Sequence, residues 1–195
     1  MISKTNRNIK RTFDMLLVIF LIPLTIAPLV LFLILATIDT KQIGLFTQDR
    51  VGQNAKLFKI FKIRTLKKGK HTLGHLDDYA SRYGKFLRTF KLDELPQLFN
   101  VLIGHMSFVG PRPDIEGFAD KLEGDDRKIL EIKPGVTGPA TIKYKDEETI
   151  LALQDDPEKY NRTIIWKDKV EINKMYIKDW SFYLDLKYIL QSIIS

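Results

Sequence analysis

The sequence predicts a mostly helical α+β protein, with an N-terminal membrane helix-hairpin, one small domain behind it and amphipathic helices at the membrane surface. Three observations predict this class. Residues 15–38 carry no charged side chain, residues 44–65 alternate polar and apolar side chains in places, and later segments repeat apolar residues at helical spacing. We therefore divide the chain into a membrane segment, residues 1–40, and a domain, residues 41–195.

The uncharged run is long enough to cross a bilayer. As a straight helix rising ~1.5 Å per residue, it would measure about 36 Å, against a hydrocarbon core of ~30 Å. Pro23 and Pro28 interrupt the run, and each removes a backbone donor, so we expect a kink. Basic residues stand on both sides of the run, and the positive-inside rule draws both ends toward the cytoplasm. These features favour a re-entrant hairpin that enters and leaves on the cytoplasmic side.

Two other interpretations of this run stay open. A single kinked helix that spans the bilayer would place the rest of the chain outside the cytoplasm. A secretory signal peptide would need a small-residue cleavage site, and residues 36–38, Ala-Thr-Ile, make a poor one. The carbonyl groups that the prolines leave without a donor need new partners in the membrane, and Thr25 is a candidate.

The charge of the chain is concentrated near this run. The whole sequence has a net charge of +7, yet residues 1–70 alone carry thirteen lysines and arginines against three aspartates. Basic residues beside an apolar segment suit an anionic membrane surface or phosphate-bearing substrates, and do not indicate a nucleic-acid partner. The chain contains no cysteine, which excludes disulfides, thiolate metal sites and a cysteine nucleophile.

The remaining elements follow from local patterns. Residues 44–65 are interrupted by the turn-like sequence Gly-Gln-Asn at 52–54, which predicts a short hairpin or two strands. Residues 77–88 have a helical pattern that we expect to break at Gly84. The C-terminal residues 174–194 combine aromatic and aliphatic side chains with lysines, which is typical of a helix in the membrane interface or packed on the core.

Adjacent carboxylates mark the candidate site. Residues 93–103 form a helical stripe that Gly104 is placed to end, and Pro96 is tolerated only near a helix start. Asp93 and Glu94 must therefore lie at the N-terminal turn. One interpretation is that Asp93 caps the helix and Glu94 offsets its dipole.

The basic residues nearby favour a second interpretation of the carboxylate pair. Arg88 precedes the pair, and Arg112 follows it in a turn flanked by prolines. Guanidinium groups bind phosphate bidentately and carboxylates supply the hard oxygen that Mg²⁺ prefers, so together they could hold Mg²⁺ and a diphosphate. Lys62 and Arg64 alternate with apolar residues along a predicted strand, and we include both among the candidate phosphate-binding residues. A solvated or headgroup-facing strand edge is the alternative for them.

Other phosphate and acyl-transfer motifs are absent from the sequence. It contains no Gly-x-x-x-x-Gly-Lys-Ser/Thr loop, no Gly-x-Gly-x-x-Gly motif and no Gly-x-Ser-x-Gly motif. It also lacks the Asp-x-Asp triplet that soluble glycosyltransferases commonly use to hold a metal.

The motifs resemble those of a known family, the bacterial sugar transferases, also called small monotopic phosphoglycosyl transferases. The resemblance covers nearly the whole chain, and its most specific part reads Leu-Asp-Glu-Leu-Pro-Gln-Leu-Phe-Asn-Val-Leu at residues 92–102. The matching segments, in order, are residues 10–14, 46–52, 58–65, 87–88, 92–102, 106–113 and 133–138.

The resemblance implies a monotopic enzyme of the bacterial inner membrane, with a re-entrant helix and a catalytic domain that faces the cytoplasm. It implies Mg²⁺, a nucleotide-sugar donor that is usually UDP-linked, and undecaprenyl phosphate as acceptor, for the first membrane step of surface polysaccharide or glycan assembly. Asp93 would be the nucleophile, would also contact the metal, and would form a covalent phosphosugar intermediate. Glu94 would act as a base or by positioning, while Arg88 and Arg112 would bind phosphate.

Two points qualify the resemblance. Residues 139–145 read Pro-Ala-Thr-Ile-Lys-Tyr-Lys, where many members carry a Gln-Val-Asn-Gly-Arg-like run, so the resemblance does not identify the donor sugar. A rival hypothesis is a non-enzymatic membrane-anchored adaptor, whose basic half binds lipid headgroups or an assembly partner. The adaptor would keep its function after replacement of Asp93 and Glu94 by their amides.

Overall fold

The computed structural model describes residues 2–69 and 72–194, and the described chain is mostly helical, with small sheets. This confirms the predicted class in its coarse form. Within the described residues, the helices are α1 (Lys4–Thr40), α2 (Arg82–Thr89), α3 (Gln97–Leu102), α4 (Pro139–Lys143), α5 (Glu147–Ala152), α6 (Pro157–Tyr160), α7 (Trp166–Lys178) and α8 (Phe182–Ile194). The strands are β1 (Leu45–Val51), β2 (Leu57–Ile63), β3 (Ser107–Val109) and β4 (Gly135–Thr137).

The apolar run lies in α1, which is one continuous helix with Pro23 and Pro28 inside it. In the described part of the chain, α1 is the one helix long and apolar enough to cross a membrane, and only 11% of its most apolar stretch is buried in the protein. The Thr25 hydroxyl donates to the Leu21 carbonyl at 2.9 Å, which is not one of the carbonyls that the prolines leave free. That α1 doubles back in the membrane stays a prediction. The predicted division at residue 40 coincides with the end of α1, and it too stays a prediction.

The basic start of α1 is tied into the protein interior. Lys10 is only 7% exposed, and its ammonium donates at 2.6 Å to Asp185, which is 1% exposed. The Tyr176 hydroxyl also donates to Asp185 at 2.6 Å, and the Trp180 indole adds a further hydrogen bond. The network joins α1 to α7 and α8 across almost the whole sequence. The Lys10 ammonium is therefore paired inside the protein and does not face lipid headgroups.

The buried pair predicts an asymmetric effect on stability. Replacing Asp185 by alanine leaves the Lys10 charge buried without its partner, and we expect a loss of about 3–5 kcal/mol in the free energy of unfolding. The double variant Lys10→Met/Asp185→Leu removes both charges and should recover most of that loss. Thermal unfolding in detergent measures both variants. A double variant as unstable as Asp185→Ala would contradict this account.

Arg11 and Asp14 connect α1 to α3 and β3. The Arg11 guanidinium donates to the carbonyls of Val101 at 2.6 Å and Leu102 at 3.0 Å, at the C-terminal end of α3. Cationic groups are favourable there because the last carbonyls of a helix lack partners. Asp14 accepts from the backbone N–H of Phe108 in β3 at 3.1 Å. The first matching motif, residues 10–14, thus connects the membrane-type helix to the elements around it.

Helix α3 packs against α1 and contributes to two apolar clusters, which include different halves of α1. Its residues Leu98 and Val101 belong to a core cluster that includes Val18 from the first half of α1. Phe99 packs with Leu29 from the second half, in another cluster. Apolar contacts in both clusters therefore fix the short helix that follows the carboxylate pair.

The predicted hairpin is confirmed. Strands β1 and β2 pair antiparallel from Leu45 opposite Ile63 to Val51 opposite Leu57. The turn between them uses a left-handed backbone at Asn54, which asparagine tolerates better than most residues. Strands β3 and β4 form a separate parallel pair.

Two of the predicted boundaries are wrong. The segment at 77–88 breaks before Ser81, whose hydroxyl caps α2, whereas Gly84 lies inside α2. Gly84 serves close packing instead, because a Cβ there would lie 2.4 Å from the Thr65 carbonyl oxygen. The C-terminal stretch 174–194 is divided between α7 and α8. The predicted helix at 93–103 is confirmed as α3 with a preceding 3₁₀ turn, Leu92–Glu94, and Gly104 ends it at φ 86°.

Candidate active site

Asp93 and Glu94 lie in the 3₁₀ turn directly before α3, as the position of Pro96 predicts. Asp93 is 8% exposed. Neither this turn nor α3 has a side-chain hydrogen bond at its N-cap, because Lys91 and Pro96 occupy the cap positions. The structure therefore contradicts the interpretation of Asp93 as a helix cap, and another reason is needed for burying this carboxylate.

Glu94 is held by two cations. Its Oε1 accepts from the Lys62 ammonium at 2.9 Å and from the Arg112 guanidinium at 2.5 Å. Burial alone would raise the pKa of Glu94, but Arg112 and Lys62 outweigh it and hold this pKa well below its usual range. Burial lowers the pKa of Lys62, against the attraction of Glu94. Glu94 is therefore a firmly ionised carboxylate with a low proton affinity.

Asp93 has the opposite surroundings. In the described part of the chain, its carboxylate makes no side-chain hydrogen bond or ion pair. Burial raises the pKa of Asp93, the Lys62 charge opposes the rise and the neighbouring Glu94 charge adds to it. Two adjacent carboxylates are thus separated by environment: one is paired, and the other is left available to a ligand beside the same cations.

Lys62 reaches Glu94 because α3 is attached to β2. The Asn100 side chain is fully buried; it accepts from the Phe61 N–H at 2.9 Å and donates to the Lys59 carbonyl at 2.7 Å. On the same face of α3, Gln97 is 1% exposed, and its amide nitrogen has no partner among the described residues. A buried amide without a partner, one helical turn from Asp93, is a donor that a bound ligand could use.

Arg112 is presented by a tight turn. The Gly110 N–H donates to Thr137 at 2.9 Å, and the Gly135 N–H donates to Pro111 at 2.8 Å, so the turn is fastened to β4. A Cβ on Gly135 would lie 2.1 Å from the Gly110 nitrogen, which explains why only glycine fits at that crossing. The predicted rigid turn therefore places Arg112 on Glu94.

The two other predicted basic residues lie differently. The Arg88 guanidinium donates to Asp77 at 2.8 Å, and its charge is near enough to Asp93 to oppose the rise in that pKa, without a direct contact. Arg64 donates to the Ile43 carbonyl at 2.9 Å and lies over the Phe46 ring. The structure thus brings Lys62 and Arg112 to the carboxylates, keeps Arg88 at the rim and does not bring Arg64 to them.

Two charged residues near Arg112, Arg50 and Asp114, were not among the site residues predicted from the sequence. Arg50 donates to the Pro113 carbonyl at 3.3 Å, and burial lowers its pKa, with Arg112 adding to the decrease. Burial raises the pKa of Asp114 to about 6, opposed by Lys169 and Arg50. A signal was present, because Arg50 lies in a matching motif and Asp114 follows the Pro-Arg-Pro sequence directly.

The sequence pattern of the bacterial sugar transferase family matches residues 5–195, and the chain belongs to this family. The resemblance inferred from the motifs is confirmed.

Several curated proteins are similar to the chain over nearly its whole length. The uncharacterized sugar transferase EpsL of Bacillus subtilis is 30% identical, over 95% of this chain and 85% of its own length. UDP-glucose:undecaprenyl-phosphate glucose-1-phosphate transferase of Escherichia coli is 34% identical, over 98% of this chain and 41% of its own. UDP-N-acetylgalactosamine-undecaprenyl-phosphate N-acetylgalactosaminephosphotransferase of Aeromonas hydrophila is 30% identical, over 95% and 43% respectively. The chain thus spans about two fifths of the latter two relatives.

Proposed function

We propose that the protein transfers a sugar-1-phosphate from a UDP-sugar to undecaprenyl phosphate and releases UMP. The observation that carries the proposal is the carboxylate pair, in which Glu94 is neutralised by Lys62 and Arg112 while Asp93 stays unpaired beside them. The relatives named for this reaction on different sugars support it. The donor sugar stays open.

The reaction divides into two displacements at one phosphorus atom. An Asp93 oxygen attacks the β-phosphorus of the donor, the bond to the bridging oxygen breaks, and UMP leaves with that oxygen and its electron pair. An oxygen of the undecaprenyl phosphate then attacks the same phosphorus and expels the Asp93 carboxylate. A carboxylate nucleophile divides a difficult transfer into two easier steps.

The environment of Glu94 argues against a role as general base. Its pKa is held far below neutrality, and a good general base has a pKa near the working pH. Neither displacement requires one, because Asp93 and the acceptor phosphate both attack as anions. We assign Glu94 to positioning: it holds Lys62 and Arg112 where their remaining N–H groups meet the phosphates. Arg88, at the edge of the site, can release Asp77 and bind a phosphate oxygen instead.

The Asp93 carboxylate also fits Mg²⁺, if phosphates of the substrate supply further oxygen ligands. The described residues contain no group of three His, Asp or Glu side chains that could hold a metal ion. Mg²⁺ commonly takes one or two carboxylates and fills its other positions with substrate phosphates and water. Asp93 is the free carboxylate here and would hold the ion, which when bound neutralises charge on the diphosphate.

We place α1 in the inner membrane as a re-entrant element, with the catalytic domain in the cytoplasm, where UDP-sugars are found. Exposed apolar side chains on α8, such as Tyr183 and Ile193, would extend this contact into the interface. Phe86 on α2 and Phe90 at its C-terminal cap are also exposed, with ring centroids 5.1 Å apart. The rival adaptor needs a free basic surface near α1, and the burial of Lys10 weakens it.

The topology can be tested by cysteine labelling, since the chain contains no cysteine. In the variants Thr5→Cys and Ile43→Cys, the new thiols lie near the two ends of α1, on either side of the uncharged run. For a re-entrant helix we expect both to be protected from an impermeant maleimide in intact cells and labelled after permeabilisation. Labelling of one position alone in intact cells would show a spanning helix and overturn the hairpin.

The function can be tested with purified protein, Mg²⁺, undecaprenyl phosphate and a panel of UDP-sugars. We expect UMP and a lipid-linked sugar phosphate for at least one donor. Release of UDP would indicate an ordinary glycosyltransferase, and the absence of turnover over the whole panel would favour the adaptor.

A further inference from the structure

The attachment of α3 to β2 depends on one side chain. In the described residues, β2 pairs with β1 along one edge, and its other edge offers unpaired backbone groups. Lys59 and Phe61 are two residues apart, so the carbonyl of one and the N–H of the other point to the same side. The Asn100 amide meets both, donating at 2.7 Å and accepting at 2.9 Å. A side chain thus fills the place of a neighbouring strand.

This contact determines where Lys62 can reach. Glu94 precedes Asn100 by six residues, and a rise of ~1.5–2.0 Å per residue through the 3₁₀ turn and α3 separates them by roughly 9–12 Å along the axis. Lys62 directly follows Phe61, and its side chain covers the remaining distance to Glu94, which it meets at 2.9 Å. A strand that slid by one residue along α3 would carry the ammonium group away from the carboxylates or turn it to the other face.

We propose that Asn100 is a positioning residue for sugar-phosphate transfer, which sets the register between α3 and β2 so that Lys62 holds Glu94 beside Asp93. The inference rests on the proposed function. Asn100 acts through Lys62 and is too deeply buried to touch a substrate.

A double-mutant cycle separates this role from a general loss of stability. Asn100→Leu keeps the number and branching of the side-chain heavy atoms and removes both hydrogen bonds, and Lys62→Met removes the ammonium. We expect Asn100→Leu to lower the kcat of UMP release by roughly 10- to 100-fold with a nearly unchanged donor KM, because small misplacements at a reacting centre cost that much. In the Lys62→Met background, the same change should cost less than about threefold.

The matched control is Asn173→Leu on α7. Asn173 is also a buried asparagine, 4% exposed, and its Oδ1 has no hydrogen-bond partner among the described residues. Its variant makes the same replacement at a buried position on another helix, and it should keep its kcat. An equal kcat loss in the control, or an equal effect of Asn100→Leu with and without Lys62, would overturn the proposal. If Asn100→Leu does not fold, Asn100→Ala takes its place in the cycle.

A second measurement does not depend on the reaction. The melting temperatures of the wild type, Asn100→Leu, Lys62→Met and the double variant are compared. We expect the shift caused by Lys62→Met to differ by about 3 °C or more between the wild-type and the Asn100→Leu backgrounds. Additive shifts would overturn the inference. A wild-type protein that released no UMP with any donor would refute the proposed function, while the melting temperatures would still decide the role of Asn100 in placing Lys62.

Discussion

Replacement of Asp93 by asparagine should abolish UMP release while leaving the protein as stable as before, or more so. The amide is nearly the same size but is not a nucleophile, so we expect a loss on the order of 10³-fold or more in kcat. Burial raises the pKa of Asp93, so its ionised form opposes folding once the pH exceeds the unfolded pKa. The gain in melting temperature should therefore be larger at pH 8 than at pH 4.

The matched control for this prediction is Asp125→Asn, at an exposed aspartate paired with Lys128. It should change neither the kcat nor the melting temperature appreciably, since exposed ion pairs contribute little. Full turnover by Asp93→Asn would refute the nucleophile. A large loss of stability in Asp93→Asn would contradict the unpaired state of the Asp93 carboxylate.

Replacement of Glu94 by glutamine should have the opposite effect on stability. It removes the partner of Lys62 and Arg112, and we expect a loss of about 3 kcal/mol in the free energy of unfolding, together with a fall of roughly 10²-fold in kcat. The pKa of Glu94 is held low, so its contribution is complete above the unfolded pKa and is lost as pH falls through the folded pKa. The difference from wild type should thus be full at neutral pH and shrink in acid.

Thermal unfolding and UMP release of Glu94→Gln and wild type, each over a pH series, test this prediction. A Glu94→Gln protein that is as stable as wild type would refute the described ion pairs. If the wild-type rate falls in acid with the titration of one group, and the variant loses both activity and that acidic limb, Glu94 acts as a general base. The two neighbouring carboxylates are therefore distinguished by the sign of their effect on stability, which their sequence positions alone do not indicate.

The elements that the sequence predicts well are those with a strong local signal. The apolar run, the turn within residues 44–65 and the proline near the start of α3 each depend on covalent or periodic features, and the structure has α1, the hairpin and α3 where these indicate. The break at Gly84 was misplaced because that glycine is used for close packing against Thr65, and such a contact has no local signature.

The site shows the same limit. The Asp-Glu pair and Arg112 stand out by residue type and flanking prolines. Alternation along a strand predicts Lys62 and Arg64 on one face, yet β2 ends at Ile63, and beyond it Arg64 turns to the Ile43 carbonyl while Lys62 meets Glu94. Lys10 is one of the basic residues that precede the uncharged run, yet its side chain is buried on Asp185, 175 residues later in the chain. Partners at such sequence distances cannot be derived from composition or spacing.

The most direct test of the covalent mechanism is a single-turnover experiment without acceptor, using a UDP-sugar labelled in its β-phosphate. We predict a burst of one UMP per enzyme, label bound to Asp93, and transfer of that label to lipid when undecaprenyl phosphate is added. The Asp93→Asn variant should show neither burst nor label. If wild-type protein releases UMP only in the presence of acceptor and never carries the label, the displacement is direct and the central claim is contradicted.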